Sequence, residues 1–266
     1  MAHSLNDRAA HSGETTRPNR PDLSTDAIRT AREELAACFR MAARNGFEEG
    51  ICNHFSAVVP GHDDLFLVNP YGYAFRELNA YKLLICDFNG TVIDGDGAPE
   101  ATAFYIHAEI HRRLPRAKVA FHTHMPYATA LSMTDGPPMI WAGQTALKFY
   151  GRTAVDENYN GLALDYAEGA RIAGTVGDAD IVFLKHHGVL VLAPTIAEAW
   201  DDLYYLERAA EVQVLAMSTG RKVSPVDPAI AEAAYRQMRE GDPESARAHL
   251  AAIRRQLDAE EPQYRH

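Results

Sequence analysis

The sequence predicts an α/β fold in which helices pack on a mixed sheet, and three observations carry that expectation. Short runs rich in β-branched and aromatic residues are punctuated by Pro60-Gly61, Pro70-Tyr71-Gly72 and Asn89-Gly90, the signature of strands joined by tight turns. Longer stretches free of Gly and Pro carry apolar residues at helical spacing. The two kinds of segment are interleaved, which suits hairpins and helices on one sheet better than a purely parallel, doubly wound arrangement.

Residues 1–23 are polar, contain Pro18 and Pro21 and lack apolar periodicity, so a disordered leader is expected there. A single domain is expected over residues 24–266, near the upper end of single-domain length. Ser24 or Thr25 can cap a helix whose apolar face is Ile28, Ala31, Leu35, Phe39 and Ala42 and which stops before Gly46. Strands are expected over 51–59, 65–68 and 83–88, a helix over 101–114 and a strand over 118–124. Two apolar strands follow at 180–185 and 189–192, and Thr195 opens a long helix to about Met217. Two separate helical patterns, 228–239 and 243–257, close the chain, each opened by a proline.

A formal net charge of −10 opposes a nucleic-acid groove, because phosphate binding requires a basic stripe. No stretch is apolar enough to span a bilayer, and no signal-peptide core is present at the N-terminus. Cys38, Cys52 and Cys86 form no CxxC pair, which fits a reduced, cytoplasmic setting.

Chemistry points to the histidines. In Phe121-His122-Thr123-His124 the two imidazoles are two residues apart on an expected strand, so they project from the same face. A solvated strand face would show the same pattern, but His186-His187-Gly188 ends a second apolar strand, where glycine permits close backbone approach and a third ligand can be delivered. Neighbouring residues alternate faces, so one of His186 and His187 ligates and the other packs or hydrogen-bonds. His107 and His111, four apart on a helix, share a ligand spacing but are read as packed or solvated.

Taken in order, Glu49-Gly50-Ile51-Cys52-Asn53-His54-Phe55-Ser56, Asn69-Pro70-Tyr71-Gly72, Phe121-His122-Thr123-His124 and Leu184-Lys185-His186-His187-Gly188-Val189 resemble the successive signatures of the class II aldolase and adducin family, with matching spacing from about residue 27 to 221. The resemblance implies a three-layer α/β/α fold with a central, largely antiparallel sheet. It further implies a homotetramer with sites at subunit interfaces, and a divalent metal on His122, His124 and His187. By the same resemblance Asn53, Ser56, Asn69, Tyr71 and Gly72 line the substrate site, and Tyr204 or Tyr205 reaches a neighbouring subunit, Tyr205 being the candidate catalytic tyrosine.

The sequence departs from the sugar-phosphate aldolases of this family. Ala103 stands where they carry the catalytic glutamate, the nearest carboxylate is Glu100, and Tyr71 is bulky in the turn that cradles phosphate. These departures resemble the branch that acts on aromatic or heteroaromatic acids, such as 3-hydroxy-2-methylpyridine-4,5-dicarboxylate decarboxylase. The expectation is therefore a metal-dependent carbon–carbon lyase that decarboxylates a small hydroxylated carboxylate through an enolate-like intermediate, with zinc or manganese, or iron, as the ion and Glu100 or a tyrosine as the acid. Aldol cleavage, iron-dependent oxygenation of a hydroxyphenylpyruvate-like acid, and an adducin-like scaffold are the alternatives.

Overall fold

The computed structural model describes residues 22–266, and the expected leader lies outside them up to residue 21. The Thr25 hydroxyl accepts from the Ile28 amide and caps α1 (Asp26–Arg44), whose buried face contains the five apolar positions picked out by spacing. Strands β1 (His54–Val59), β2 (His62–Val68), β3 (Leu84–Asp87) and β4 (Val92–Asp94) form an antiparallel meander. After α2 (Ala101–Arg113) comes β5 (Val119–Thr123), then α3 (Pro126–Ser132), α4 (Gln144–Leu147), β6 (Thr153–Asp156), α5 (Tyr166–Thr175), β7 (Ile181–Leu184), β8 (Gly188–Ala193), α6 (Ile196–Ser218) and α7 (Pro228–Glu260).

The eight strands form one sheet in the order β4-β3-β2-β1-β5-β8-β7-β6. Every neighbouring pair is antiparallel except β6 with β7 at one edge. Period-two alternation sorts the side chains between two faces. Phe55, Phe121, Phe183 and Val191 enter a large apolar cluster with α1, α3 and α6. On the opposite face Ala120, Val182, Leu190 and Leu192 pack under α2 and α5, while Phe66, Val68 and Leu84 meet Phe104 and Ala108 of α2 in a second cluster. The result is the expected three-layer architecture with a largely antiparallel sheet.

The differences have physical causes. β1 begins three residues later than the pattern suggests, because a turn at Gly50, with φ +59°, precedes it. β2 begins three residues earlier, since Pro60-Gly61 makes a tight hairpin that pairs Val59 with His62. The sequence pattern does not resolve residues 126–179, where the elements are short. The two closing helices are a single helix, α7, with Pro243 inside it. Asp242, Ala246, Leu250, Ile253 and Leu257 are buried along one side of this helix. That packing, with an Asp242–Lys148 ion pair at 2.7 Å, outweighs the roughly 3 kcal/mol of an internal proline.

Candidate metal centre

His122 and His124 project from the end of β5 on the face covered by α2 and α5. His187 arrives from the three-residue loop between paired Leu184 and Gly188. That loop is closed by the His187 amide donating to the Leu184 carbonyl at 3.0 Å, and His186 within it adopts φ +59°. A left-handed conformation costs an L-residue about 1–2 kcal/mol, and it turns exposed His186 away while His187 faces inward. Gly188 is required at the seam: an added Cβ would lie 2.5 Å from the Thr123 carbonyl oxygen and 2.8 Å from His124 Cδ2.

One ring nitrogen from each of His122, His124 and His187 lies within 4.8 Å of the others. The structure thus assembles the three residues singled out by the sequence and leaves His186 outside the cluster. Tautomers follow from their partners. His122 Nδ1 lies 2.9 Å from the Val189 carbonyl oxygen, which can only accept, so Nδ1 carries the proton and Nε2 is bare. His124 Nδ1 donates to the Glu49 carboxylate, which leaves Nε2 as the nitrogen that can ligate. These two Nε2 atoms lie 3.1 Å apart, close enough for both to reach one cation. Burial, reinforced by the neighbouring histidines, holds the His122 pKa well below the usual imidazole range and lowers that of His187 to about 4. Three imidazoles form a donor set that fits a divalent cation of borderline softness.

The remaining candidates fall into distinct places. Asn53 is buried; its Oδ1 accepts from the Glu49 amide at 2.7 Å, while its Nδ2 has no partner. Asn69 braces the strands, accepting from the Phe55 amide and donating to the Asn53 carbonyl. Tyr71 is half-exposed, with its amide bonded to the Ala98 carbonyl, and Gly72 sits at φ +92° in the same turn. Ser56 is fully buried beneath α2 and bonds His107 and His111. Glu100 caps α2: its carboxylate accepts from the Ala103 amide at 2.9 Å and from the Thr102 hydroxyl. Ala103 is buried inside that helix. Tyr204 and Tyr205 pack against His249, at the contact between α6 and α7.

Four residues with a place here escaped the sequence reading: Glu49, His54, Lys185 and Tyr159. Glu49 and His54 were visible only as members of a motif, although alternation with Ser56 already puts His54 on the face of β1 that carries the site. Lys185 is the third. It lines a cleft of about 210 Å³ together with His124, His187, Asn158, Tyr159 and Thr102. Its ammonium donates to the Thr134 carbonyl at 2.6 Å and lies 3.8 Å from the Glu157 carboxylate. Arg171 in the same cleft is bound in bidentate fashion by Asp156 at 2.7 Å. A larger apolar cleft of about 440 Å³ beside α6 contains none of these histidines.

With this geometry established, comparison with known proteins identifies the class. Residues 33–214 match the Class II Aldolase and Adducin N-terminal domain, and the chain belongs to that family. It is 35% identical over 192 residues to a putative aldolase class 2 protein of Caulobacter vibrioides, an overlap covering 72% of this chain and 74% of the relative. It is 32% identical to the 4-hydroxy-3-prenylphenylpyruvate oxygenase/4-hydroxy-3-prenylbenzoate synthase of Streptomyces roseochromogenus, over 70% of this chain and 67% of that one. Decarboxylase NovR of Streptomyces niveus is 30% identical over 70% of this chain and 69% of its own. Among solved structures, an aldolase II superfamily protein from Pseudomonas syringae superposes with a TM-score of 0.86 at 29% identity, covering 92% of this chain and 98% of that chain.

Proposed function

We propose that the protein is a divalent-metal-dependent carbon–carbon lyase that decarboxylates a hydroxylated aromatic or heteroaromatic carboxylate. The observation that carries this reading is the convergence of His122, His124 and His187, with the Nε2 atoms of the first two 3.1 Å apart. A divalent cation held by these three rings supplies Lewis acidity toward adjacent hydroxyl and carboxylate oxygens of a substrate. Similarity to Decarboxylase NovR supports the reaction class, and the absence of a carboxylate at Ala103 separates the chain from the sugar-phosphate aldolases it resembles.

The chain's own groups divide the remaining work. Lys185, whose ammonium also lies 3.8 Å from the Glu157 carboxylate, is the cleft's cation for the departing carboxylate, and Asn53, whose buried Nδ2 lacks a protein partner, is the proposed donor to a substrate oxygen. Loss of carbon dioxide leaves an electron pair on the ring carbon, which must take a proton. We assign that proton to the phenol of Tyr159, which lines the cleft with its ring centroid 6.3 Å from that of His187, with Glu100, which caps its own helix, as the alternative acid. The cleft is below the roughly 300–1,000 Å³ of drug-sized sites, which suits a single-ring acid.

The oxygenase reading has one specific support, the relative from Streptomyces roseochromogenus whose name includes that activity. One experiment separates the readings. The protein is stripped with chelator, reloaded with zinc, manganese or ferrous iron, and offered a panel of hydroxylated aromatic and heteroaromatic carboxylates with and without oxygen. Carbon dioxide release that needs metal, ignores oxygen and disappears in His122→Ala supports the lyase. Turnover confined to iron with stoichiometric oxygen uptake overturns it in favour of the oxygenase, and full turnover by stripped His122→Ala overturns both.

A further inference from the structure

His54 on β1 is the register partner of His122 on β5, and the two rings lie 4.8 Å apart. Only 2% of His54 is exposed. From it a line of hydrogen bonds runs beneath α2: His54 Nδ1 to His107 Nε2 at 2.7 Å, His107 Nδ1 to Ser56 Oγ, Ser56 Oγ to His111 Nε2 at 2.7 Å, and His111 Nδ1 to the Ala117 carbonyl oxygen at 2.8 Å. All four side chains are buried, and burial pushes the pKa values of His107 and His111 down, which keeps those rings neutral.

The carbonyl end fixes the sense of every link. A carbonyl oxygen only accepts, so His111 carries its proton on Nδ1 and its Nε2 must accept. The Ser56 hydroxyl donates there, and having a single proton it can only accept from His107. His107 is therefore protonated on Nδ1, and its Nε2 accepts from His54 Nδ1. His54 is left with a bare Nε2, for which no partner exists among the described residues. This acceptor is not among the fully buried unpaired atoms, so a donor from a ligand can reach it.

We infer that His54 is a substrate-binding residue whose Nε2 accepts a hydrogen bond from the hydroxyl of a bound hydroxylated carboxylate, with Ser56, His107 and His111 as positioning residues that hold it in the Nδ1–H tautomer. The ligand class rests on the lyase reading above; the tautomer array rests on the protein's hydrogen bonds alone. The tautomer is the same as that of His122; what leaves His54 outside the metal cluster is distance, since the ligand atoms that come within 4.8 Å of one another are those of His122, His124 and His187.

The test is two-bond ¹H–¹⁵N correlation on protein labelled with ¹⁵N-histidine, with the His54 signals assigned from their loss in His54→Gln. In the metal-free wild type the expected result is a protonated Nδ1 and a bare Nε2 at His54, His107 and His111, with His54 and His107 released toward the Nε2–H tautomer in Ser56→Ala. A protonated Nε2 at His54 in the wild type overturns the inference without recourse to any variant. In the zinc-loaded protein, added salicylate is expected to move the His54 Nε2 resonance in the direction of an accepted hydrogen bond; no movement overturns the ligand contact. Zinc affinity separates this inference from the metal reading. His54→Gln is expected to bind zinc within about threefold of wild type, and a loss as large as that of His122→Ala makes His54 a ligand and overturns the inference. A wild type that binds no zinc sinks the metal reading while leaving the tautomer result standing.

Discussion

Individual side chains here are specified by what their second nitrogen or oxygen does. His122 and His124 present Nε2 because a carbonyl and a carboxylate respectively occupy their Nδ1 atoms. The Glu49 side chain is largely exposed, so its contribution is orientation rather than burial energy. Removing such a partner typically weakens a metal site about 10–100-fold. Glu49→Ala is accordingly expected to lower zinc affinity by that order in a competition titration with a chromophoric chelator, and Glu49→Gln, which can still accept, by less. Equal affinity in all three proteins would remove Glu49 from the site. The sequence could not show this link, since nothing in the spacing of residues 49 and 124 announces a contact. The triad itself was legible, because His-x-His on a strand obeys a two-residue period and His187 precedes a glycine.

Histidine protonation gives a second residue-level expectation. Burial lowers the His111 pKa from the usual 6.5 to about 4 in the folded chain. An unfolded chain then binds more protons between those values, so the stability associated with neutral His111 is full above about pH 6.5 and is lost as pH falls toward 4. At pH 5 the loss amounts to about 2 kcal/mol. Urea midpoints of the metal-free protein at pH 7 and pH 5 should fall accordingly, and His111→Gln should flatten part of that fall. An unchanged slope in the variant would show that His111 does not carry the effect.

At the scale of elements, the site depends on how closely β8 approaches β5. Gly188 pairs with Leu184 at the hairpin end, and its missing side chain leaves room for the Thr123 carbonyl and the His124 ring. Gly188→Ala is expected to force the strands apart, costing about 1–3 kcal/mol in chemical denaturation and displacing His124 enough to weaken zinc binding at least tenfold. A variant with wild-type stability and affinity would mean that the seam can relax without moving the ligands. Gly169 plays a comparable part where α5 crosses α2, since a Cβ there would lie 2.3 Å from the Tyr105 carbonyl oxygen. The sequence showed α1, α2, α6 and most strands clearly, because each repeats its apolar residues with one period over enough positions. It misled at Pro243, where proline reads as a boundary but burial of the following turns carries α7 through. The short pieces between β5 and β7 offered too few residues for any period to emerge.

Across the whole molecule, one face of the sheet is an uninterrupted apolar core, whereas the other carries a seam of histidines between two smaller apolar clusters. The seam could not be read from the sequence: His107 and His111 acquire their partners only when α2 is laid across β1 and β5. Among the described residues no helix is long and apolar enough to cross a membrane. The outer face of α6 exposes Tyr205, Val212 and Leu215, and the homotetramer implied by the family resemblance would cover apolar surface of this kind. Light scattering on the eluted protein is expected to return four times the chain mass; a monomer would confine the site to the residues of a single chain.

The central claim, that His122, His124 and His187 close around one cation, is tested most directly by zinc stoichiometry in the stripped and reloaded protein. One ion per chain is expected for the wild type, with tight binding abolished by alanine at any of the three positions. A wild type that retains no zinc, or alanine variants that retain it as well as the wild type, would contradict the account.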